Sequence, residues 1–334
     1  MAAAGALGAA RGQPARELIR PRALKAGDTI GLITPSTYVS DPDKLASVER
    51  TVRYFGLKPK WGKSVGKHFS SLRVSVGDAL DDFHAMFRDP EVRGVFAIRG
   101  GYGSEHLLDR IDYALVRSNP KVFLGYSDIT ALHIAIHRHA GLVTFHGPVM
   151  TSRFTDFSQK YFRKALFETA PIGLVTNPAE SNTLRPAHAM RTVRGGRARG
   201  TLIGGNLTLI STTMGTPYEI ETRGRILFIE DVGEETYRLD RMLTQLRLAG
   251  KFDSAAGIIW GECSECGPSD FKPSMEWNFS VGETVDSILG DLKIPVLSGL
   301  VFGHTDDQVT LPEGVMATLD ADKQELIIEE AGVS

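Results

Sequence analysis

The chain is poor in cysteine and tryptophan, and it has neither a strong net charge nor a long apolar run. Its 334 residues include two cysteines, and 38 basic against 40 acidic side chains give a formal net charge of −2. This balance gives no electrostatic reason to expect a nucleic-acid partner. No segment is long and apolar enough to cross a bilayer, so we expect no membrane span.

The two cysteines, Cys263 and Cys266, form a lone Cys-Ser-Glu-Cys motif. A structural zinc site needs a second pair of ligands, and the sequence offers neither another cysteine pair nor histidines at ligand spacing. We therefore predict a loop with two thiols rather than a zinc ribbon. A cluster of acidic side chains could be imagined as a metal site. The dipole of the helix that is predicted to follow Glu235 adequately explains the excess of acids there. The cluster consists of Glu230, Asp231, Glu234, Glu235, Asp306 and Asp307. We expect no metal and no cofactor.

Ser127 stands where an apolar strand meets a helix. The apolar run 122–125 ends in a glycine, and apolar positions from Ile129 continue as a helix to Gly141. Such a turn exposes the serine hydroxyl, and the first helix amides, beginning at Asp128, point at any oxyanion on the substrate. The second glycine of the usual nucleophile turn is replaced by Ile129. A serine that merely caps the helix is therefore the alternative that this segment leaves open.

An acid and a histidine also follow apolar strands. Glu230 ends the run 225–229, and His304 follows the run 295–303. Ligands of open α/β sheets bind at the carboxyl ends of parallel strands, so Ser127, Glu230 and His304 predict a nucleophile, an orienting acid and a general base. The alternatives are a solvated strand end for Glu230 and an ordinary loop histidine for His304.

A glycine-rich turn, 100–103, follows a further apolar strand at 95–98. The pattern is not a dinucleotide fingerprint, because His106 occupies the position of the third glycine. The turn could instead supply a backbone amide at Gly101, opposite that of Asp128, as a second donor to a tetrahedral intermediate. An ordinary turn between strand and helix is the alternative.

The order of strands and helices predicts an α/β protein with two domains. Residues 21–170 would form an N-terminal domain around a mostly parallel Rossmann- or flavodoxin-like sheet that carries the nucleophile. Residues 171–200 read as a linker, and residues 201–334 as a C-terminal α/β domain that carries the acid and the base. The active site would then lie at the domain interface. Residues 1–20 are expected to be a disordered extension or the remnant of an export signal.

Taken together, these segments resemble the LD-carboxypeptidases, a family that includes muramoyltetrapeptide carboxypeptidases and microcin C self-immunity peptidases. The similarity extends from about Pro21 to Glu330. The segments that carry it are 29–36, 99–103, 125–128, 204–207, 229–232 and 303–304.

The resemblance implies a serine peptidase with Ser127 as nucleophile, His304 as base and Glu230 as orienting acid. It also implies an oxyanion hole made by the amides of Gly101 and Asp128. The implied reaction removes the terminal D-alanine of a murein tetrapeptide at an L,D-peptide bond, in peptidoglycan recycling. A homodimer in the cytoplasm is the implied setting, with the periplasm as the alternative if the start of the chain is the end of an export signal.

Other functions remain open at this point. Microcin-type relatives carry tryptophans in the interdomain loop that stack on a nucleotide, whereas the range 177–200 contains no tryptophan, tyrosine or phenylalanine, which favours murein recycling. The five arginines of this range suit an anionic substrate or a solvated linker. They are Arg185, Arg191, Arg194, Arg197 and Arg199. A different amidase or esterase, and a binding protein without catalysis, are further alternatives.

Overall fold

The computed structural model describes residues 17–179, 182, 184, 186–267 and 279–334. Most of the predicted N-terminal extension, as well as Arg185, therefore lies outside the described residues. Within them, no helix has both the length and the apolar character needed to cross a bilayer.

The described chain forms fourteen strands. They are β1 (Thr29–Ile33), β2 (Lys58–Trp61), β3 (Val92–Ala97), β4 (Val122–Gly125), β5 (Thr144–His146), β6 (Gly173–Val175), β7 (Arg191–Arg194), β8 (Arg197–Asn206), β9 (Arg225–Val232), β10 (Gly257–Ser264), β11 (Val296–Leu300), β12 (Leu311–Glu313), β13 (Met316–Asp320) and β14 (Glu325–Ile328).

Eight α-helices accompany them in the described residues. They are α1 (Pro42–Tyr54), α2 (Val76–Arg88), α3 (Tyr113–Ser118), α4 (Thr130–Ala140), α5 (Asp156–Phe167), α6 (Leu207–Thr212), α7 (Thr236–Leu248) and α8 (Val281–Leu289). Side chains cap several of them, as at Asp41 before α1 and at Ser280, which forms a capping box with Glu283 before α8.

The strands build two sheets, which confirms the predicted two-domain α/β fold. The first has the order β12-β5-β4-β3-β1-β2 and is parallel except for β12. The second has the order β6-β14-β13-β8-β9-β10-β11-β7, with a parallel centre from β8 to β11 and antiparallel edges. Strands β6, β7 and the start of β8 fall within the range 171–200 that the sequence suggests as a linker.

The two sheets are joined more intimately than a single linker would allow. Strand β12 pairs with β5 in the first sheet, and after two intervening residues β13 begins in the second. One continuous apolar core includes Phe96 of β3 and Phe228 of β9, both fully buried. Burial of such side chains across the junction stabilises one relative position of the two sheets.

The carboxyl ends of the central strands of both sheets meet at this junction. The amide of Asn206, at the end of β8, donates to the hydroxyl of Thr130 at the start of α4, with an N–O distance of 3.0 Å. Gly205 has a φ of 129°, and a Cβ atom there would lie 2.5 Å from the Thr130 Oγ1. Only glycine permits both that backbone conformation and so close an approach.

Candidate active site

Ser127 occupies the turn between β4 and α4. Its φ of 65° places a non-glycine residue in the left-handed region, and residues 127–129 form a single 3-10 turn that leads into α4. A bulky residue is tolerated at Ile129 because Gly125 makes room for it: a Cβ atom at Gly125 would lie 2.9 Å from the Ile129 side chain. This strained strand-to-helix turn is the geometry of a nucleophile elbow.

The three side chains predicted to act together form one hydrogen-bonded chain. His304 Nε2 lies 3.0 Å from Ser127 Oγ, and His304 Nδ1 lies 2.7 Å from Glu230 Oε2. Serine comes from the first domain, and acid and histidine come from the second. The arrangement can therefore transfer a proton from the serine hydroxyl to the imidazole while a carboxylate orients the ring.

Burial determines the electrostatics of these hydrogen-bonded side chains. Glu230 is fully buried, and burial raises the pKa of its carboxyl. Burial alone would lower the pKa of His304, but the charge of Glu230 and its hydrogen bond outweigh that effect and hold the pKa of His304 above its ordinary value. The imidazole is thus a stronger base than a free histidine, and the imidazolium formed during proton transfer is stabilised by the carboxylate.

Gly303 lies directly against the Glu230 carboxyl group. Its φ is 83°, and a Cβ atom there would lie 2.3 Å from Glu230 Oε2. The residue before the histidine therefore has to be glycine, both for its backbone conformation and for the space that the carboxylate occupies.

The neighbouring acid, Asp231, has a separate structural task. Its carboxylate accepts hydrogen bonds from Asn206 Nδ2 and from the Thr208 amide, each at 2.9 Å. These bonds tie the end of β9 to the turn that starts α6 and hold the loop after Glu230 in place. Asp231 is thus fully engaged, and Glu230 is the acid that faces His304.

Asp128 holds three strand ends of the first domain together. Its carboxylate accepts hydrogen bonds from Ser36 Oγ at 2.5 Å and from the Ser104 amide at 2.8 Å. The Ser104 hydroxyl in turn donates to the Asp128 carbonyl at 2.5 Å. The buried carboxylate thereby fixes the glycine-rich turn relative to the serine turn.

The glycine-rich turn packs on the nucleophile. A Cβ atom at Gly100 would lie 3.0 Å from Ser127 Cβ, and one at Gly101 would lie 2.2 Å from Thr37 Oγ1. Gly101 has a φ of 111°. The turn thus brings the backbone around Gly101 close to Ser127, as the predicted role of its amide requires.

Aromatic and neutral groups enclose the histidine. The ring of Tyr126 packs edge-on against His304, with centroids 4.9 Å apart. His146 is fully buried beneath this site, and burial holds its pKa well below the ordinary histidine value. His146 is therefore neutral at pH 7, and it adds no second positive charge beside the base.

The expectation of two free thiols was wrong, because Cys263 and Cys266 form a disulfide. Ser264, between them, donates a hydrogen bond from its hydroxyl to the carbonyl of His304. The cross-linked turn at the end of β10 thus supports the backbone that carries the histidine.

The acidic side chains near the site have partners other than a metal. Asp306 pairs with Arg153 at 2.9 Å, and Glu234 lies 3.9 Å from Arg238. In the described part of the chain, no group of three or more histidine, cysteine, aspartate or glutamate side chains is placed to hold a metal ion.

Two residues of the arginine-rich range, Arg197 and Arg199, lie far from the site. Arg197 and Arg199 lie at the start of β8, whereas the catalytic end of that strand is Asn206. At about 3.3 Å per residue, most of the strand's length separates them from the serine. Arg191 pairs with Asp286 at 2.7 Å, and Arg199 pairs with Glu329 at 2.7 Å. The position of Arg197 and Arg199 and the ion pairs of Arg191 and Arg199 therefore give no support to a role of these residues in substrate binding.

Sequence reasoning missed the supporting residues Asn206, Ser36, Ser104 and Ser264. Asn206 alone left a signal, since an asparagine between a strand and a helix is typical of a helix cap, and its side chain does accept from the Leu209 amide. The three serines support the site only through contacts between distant segments, which no local pattern encodes.

Models of known families match most of the chain. The LD-carboxypeptidase N-terminal domain matches residues 30–147, and the LD-carboxypeptidase C-terminal domain matches residues 199–319. The first match contains Ser127, and the second contains Glu230 and His304.

Individual relatives cover nearly the whole chain. A Bacillus subtilis protein named "Probable murein peptide carboxypeptidase" is 38% identical over 94% of this chain and 95% of its own length. A structure of the microcin C7 self-immunity protein MccF with aspartyl sulfamoyl adenosine has 29% identity and a TM-score of 0.84, over 95% of this chain and all of that one. The muramoyltetrapeptide carboxypeptidase of Oxalobacter formigenes has 30% identity and a TM-score of 0.76, over 91% of this chain and 99% of that one.

Proposed function

We propose that this chain, which belongs to the LD-carboxypeptidase family, is a serine carboxypeptidase that removes the terminal D-alanine from murein tetrapeptides. The observation that carries the proposal is the hydrogen-bonded chain from Ser127 through His304 to Glu230 at the junction of the two domains. The named murein peptidases among its relatives support the choice of substrate.

Acylation begins at the serine. Ser127 Oγ attacks the carbonyl carbon of the bond to D-alanine, and His304 Nε2 accepts the hydroxyl proton as the C–O bond forms. The amides of Gly101 and Asp128 stabilise the negative charge on the former carbonyl oxygen. His304 then donates its proton to the nitrogen of D-alanine, the C–N bond breaks, and D-alanine leaves as a free amino acid.

Deacylation repeats these steps with water. His304 accepts a proton from the attacking water, the ester bond to Ser127 breaks, and the serine recovers its proton from the imidazole. Glu230 stays ionised throughout, holds the imidazole in the correct tautomer and stabilises its positive charge. The tripeptide product leaves with a new carboxylate.

A microcin-type peptidase is the second candidate, and the similarity to MccF at a TM-score of 0.84 favours it. The MccF ligand joins an aminoacyl group to a nucleoside, whereas the range 177–200 of this chain contains no phenylalanine, tyrosine or tryptophan on which a base could stack. This difference supports the murein peptide as the substrate.

The test compares four substrates under the same conditions. They are a tetrapeptide that ends in D-alanine, its C-terminal amide, a pentapeptide that ends in D-Ala-D-Ala, and an aspartyl sulfamoyl nucleoside. We expect rapid release of D-alanine from the free acid and poor use of the other three, measured by mass spectrometry. Preferred cleavage of the nucleoside would favour the microcin-type activity, and equal rates on free acid, amide and pentapeptide would favour a general amidase.

A further inference from the structure

A carboxypeptidase must recognise the free carboxylate at the end of its substrate. In the proposed reaction this carboxylate belongs to the leaving D-alanine, and only three covalent bonds separate its carbon from the carbonyl carbon that Ser127 attacks. The recognising group must therefore lie within one side chain's length of Ser127. An arginine is the side chain best suited to the task, because its planar guanidinium can donate two hydrogen bonds to one carboxylate.

Four arginines lie near the proposed catalytic residues, either in the structure or along the sequence. Three of them already have a hydrogen-bond or ion-pair partner. Arg153 pairs with Asp306, and Arg238 lies within ion-pair distance of Glu234. Arg73 lies against the glycine-rich turn, and its guanidinium donates to the Val74 carbonyl at 3.3 Å.

Arg99 is the fourth, and it is exposed. Among the described residues it has no hydrogen-bond or ion-pair partner. An unpaired arginine beside a catalytic serine is available to a ligand without first breaking an ion pair.

The backbone at Arg99 is held firmly in place next to the nucleophile. On one side, the Ile98 carbonyl accepts hydrogen bonds from both the amide and the hydroxyl of Thr151, each at 3.0 Å. On the other side, Gly100 lies so close to Ser127 that a Cβ atom on it would be 3.3 Å from the serine oxygen. The Arg99 side chain therefore starts one residue from the glycine that contacts Ser127, and it is exposed.

We propose that Arg99 binds the terminal carboxylate of the substrate and thereby makes the enzyme a carboxypeptidase rather than an endopeptidase. This inference rests on the proposed function, since it assigns a role within the same site. Arg99 and the proposed donor Gly101 belong to one short segment, so the carboxylate and the oxyanion would be held by neighbouring parts of a single loop. An amidated or extended substrate offers no carboxylate at this position and leaves Arg99 without its partner.

The test measures kcat/KM on the tetrapeptide and on its C-terminal amide for wild type, Arg99→Ala, Arg99→Lys and the control Arg73→Ala. For Arg99→Ala we expect a loss of roughly 10- to 100-fold on the free acid, the usual effect of removing hydrogen bonds to a charged group. The rate on the amide should change by less than about two-fold on the same argument, so the preference for the free acid should fall toward one. Arg99→Lys should keep part of the preference, and Arg73→Ala all of it.

The outcomes separate this inference from the proposed function. If Arg99→Ala retains the wild-type preference for the free acid, or if Arg73→Ala loses it instead, the assignment of Arg99 is wrong while the peptidase activity stands. If the wild-type enzyme hydrolyses acid and amide equally, the carboxylate is not recognised and the assignment likewise fails. If the wild type releases no D-alanine from either peptide, both the proposed function and this inference are wrong.

Discussion

Replacing Gly303 by alanine should disable the enzyme although it replaces none of the three proposed catalytic side chains. The new Cβ atom would lie 2.3 Å from Glu230 Oε2, whereas non-bonded heavy atoms normally remain about 3.5 Å apart. The buried carboxylate would have to move by roughly 1.2 Å, and a misplacement of about 1 Å near a reacting centre costs on the order of 100-fold in rate. We therefore expect kcat to fall by about two orders of magnitude or more.

Gly233→Ala is the matched control. Gly233 also has a left-handed φ, 67°, and it lies three residues after Glu230, but an added Cβ atom there would meet nothing within 4 Å. Both variants therefore incur a similar backbone penalty of roughly 1–2 kcal/mol, and only Gly303→Ala displaces the carboxylate.

The assay is the release of D-alanine from the tetrapeptide, with the thermal unfolding midpoint measured for each variant. We expect both variants to lose stability, Gly303→Ala more than Gly233→Ala because it also displaces a buried side chain, and we expect the loss of kcat to be confined to Gly303→Ala. A folded Gly303→Ala enzyme with half or more of the wild-type kcat would refute the argument that the position of Glu230 depends on this glycine.

Three further predictions follow from the same site. Ser127→Ala and His304→Ala should each lower kcat by several orders of magnitude, and the double variant should be little worse than either, as turnover measurements on all three can check. Glu230→Gln should lower kcat by up to about 10⁴-fold. The Glu230 carboxylate raises the pKa of His304, and His304 must be neutral to act as base. The acid limb of the pH–rate profile should therefore move to lower pH in this variant. Exhaustive treatment with a chelator should leave D-alanine release unchanged, whereas a loss restored by a divalent ion would assign the catalytic role to a metal.

The candidate catalytic residues could be located from sequence because each lies at or near the end of an apolar run. Apolar runs before Ser127, Glu230 and His304 predict buried strands, and parallel strands in one sheet place their carboxyl ends at one edge. The structure brings the three side chains together across two sheets, at 3.0 and 2.7 Å. Local pattern was enough here, because each residue lies at or shortly after the carboxyl end of the strand that positions it.

What local pattern could not predict depends on contacts between distant segments. The hydrogen bond from Ser36 to Asp128 joins residues 92 positions apart, and neither side chain carries a periodic signal. The crossing of the chain from β12 in one sheet to β13 in the other was missed for the same reason, since a strand of three residues has no pattern of its own. The sequence left open whether the arginine-rich range binds the substrate, because composition shows charge but not which end of β8 carries it.

The most direct test of the account is to label the enzyme with a serine-directed fluorophosphonate and to locate the modified residue by peptide mass mapping. A phosphonate that forms a covalent bond with an activated serine reports both the nucleophile and its activation. We predict stoichiometric modification of Ser127 in the wild type, with concurrent loss of D-alanine release, and labelling slowed by orders of magnitude in folded His304→Ala. Full catalytic activity in an enzyme whose Ser127 is completely modified, or equal labelling rates with and without His304, would contradict the proposed mechanism.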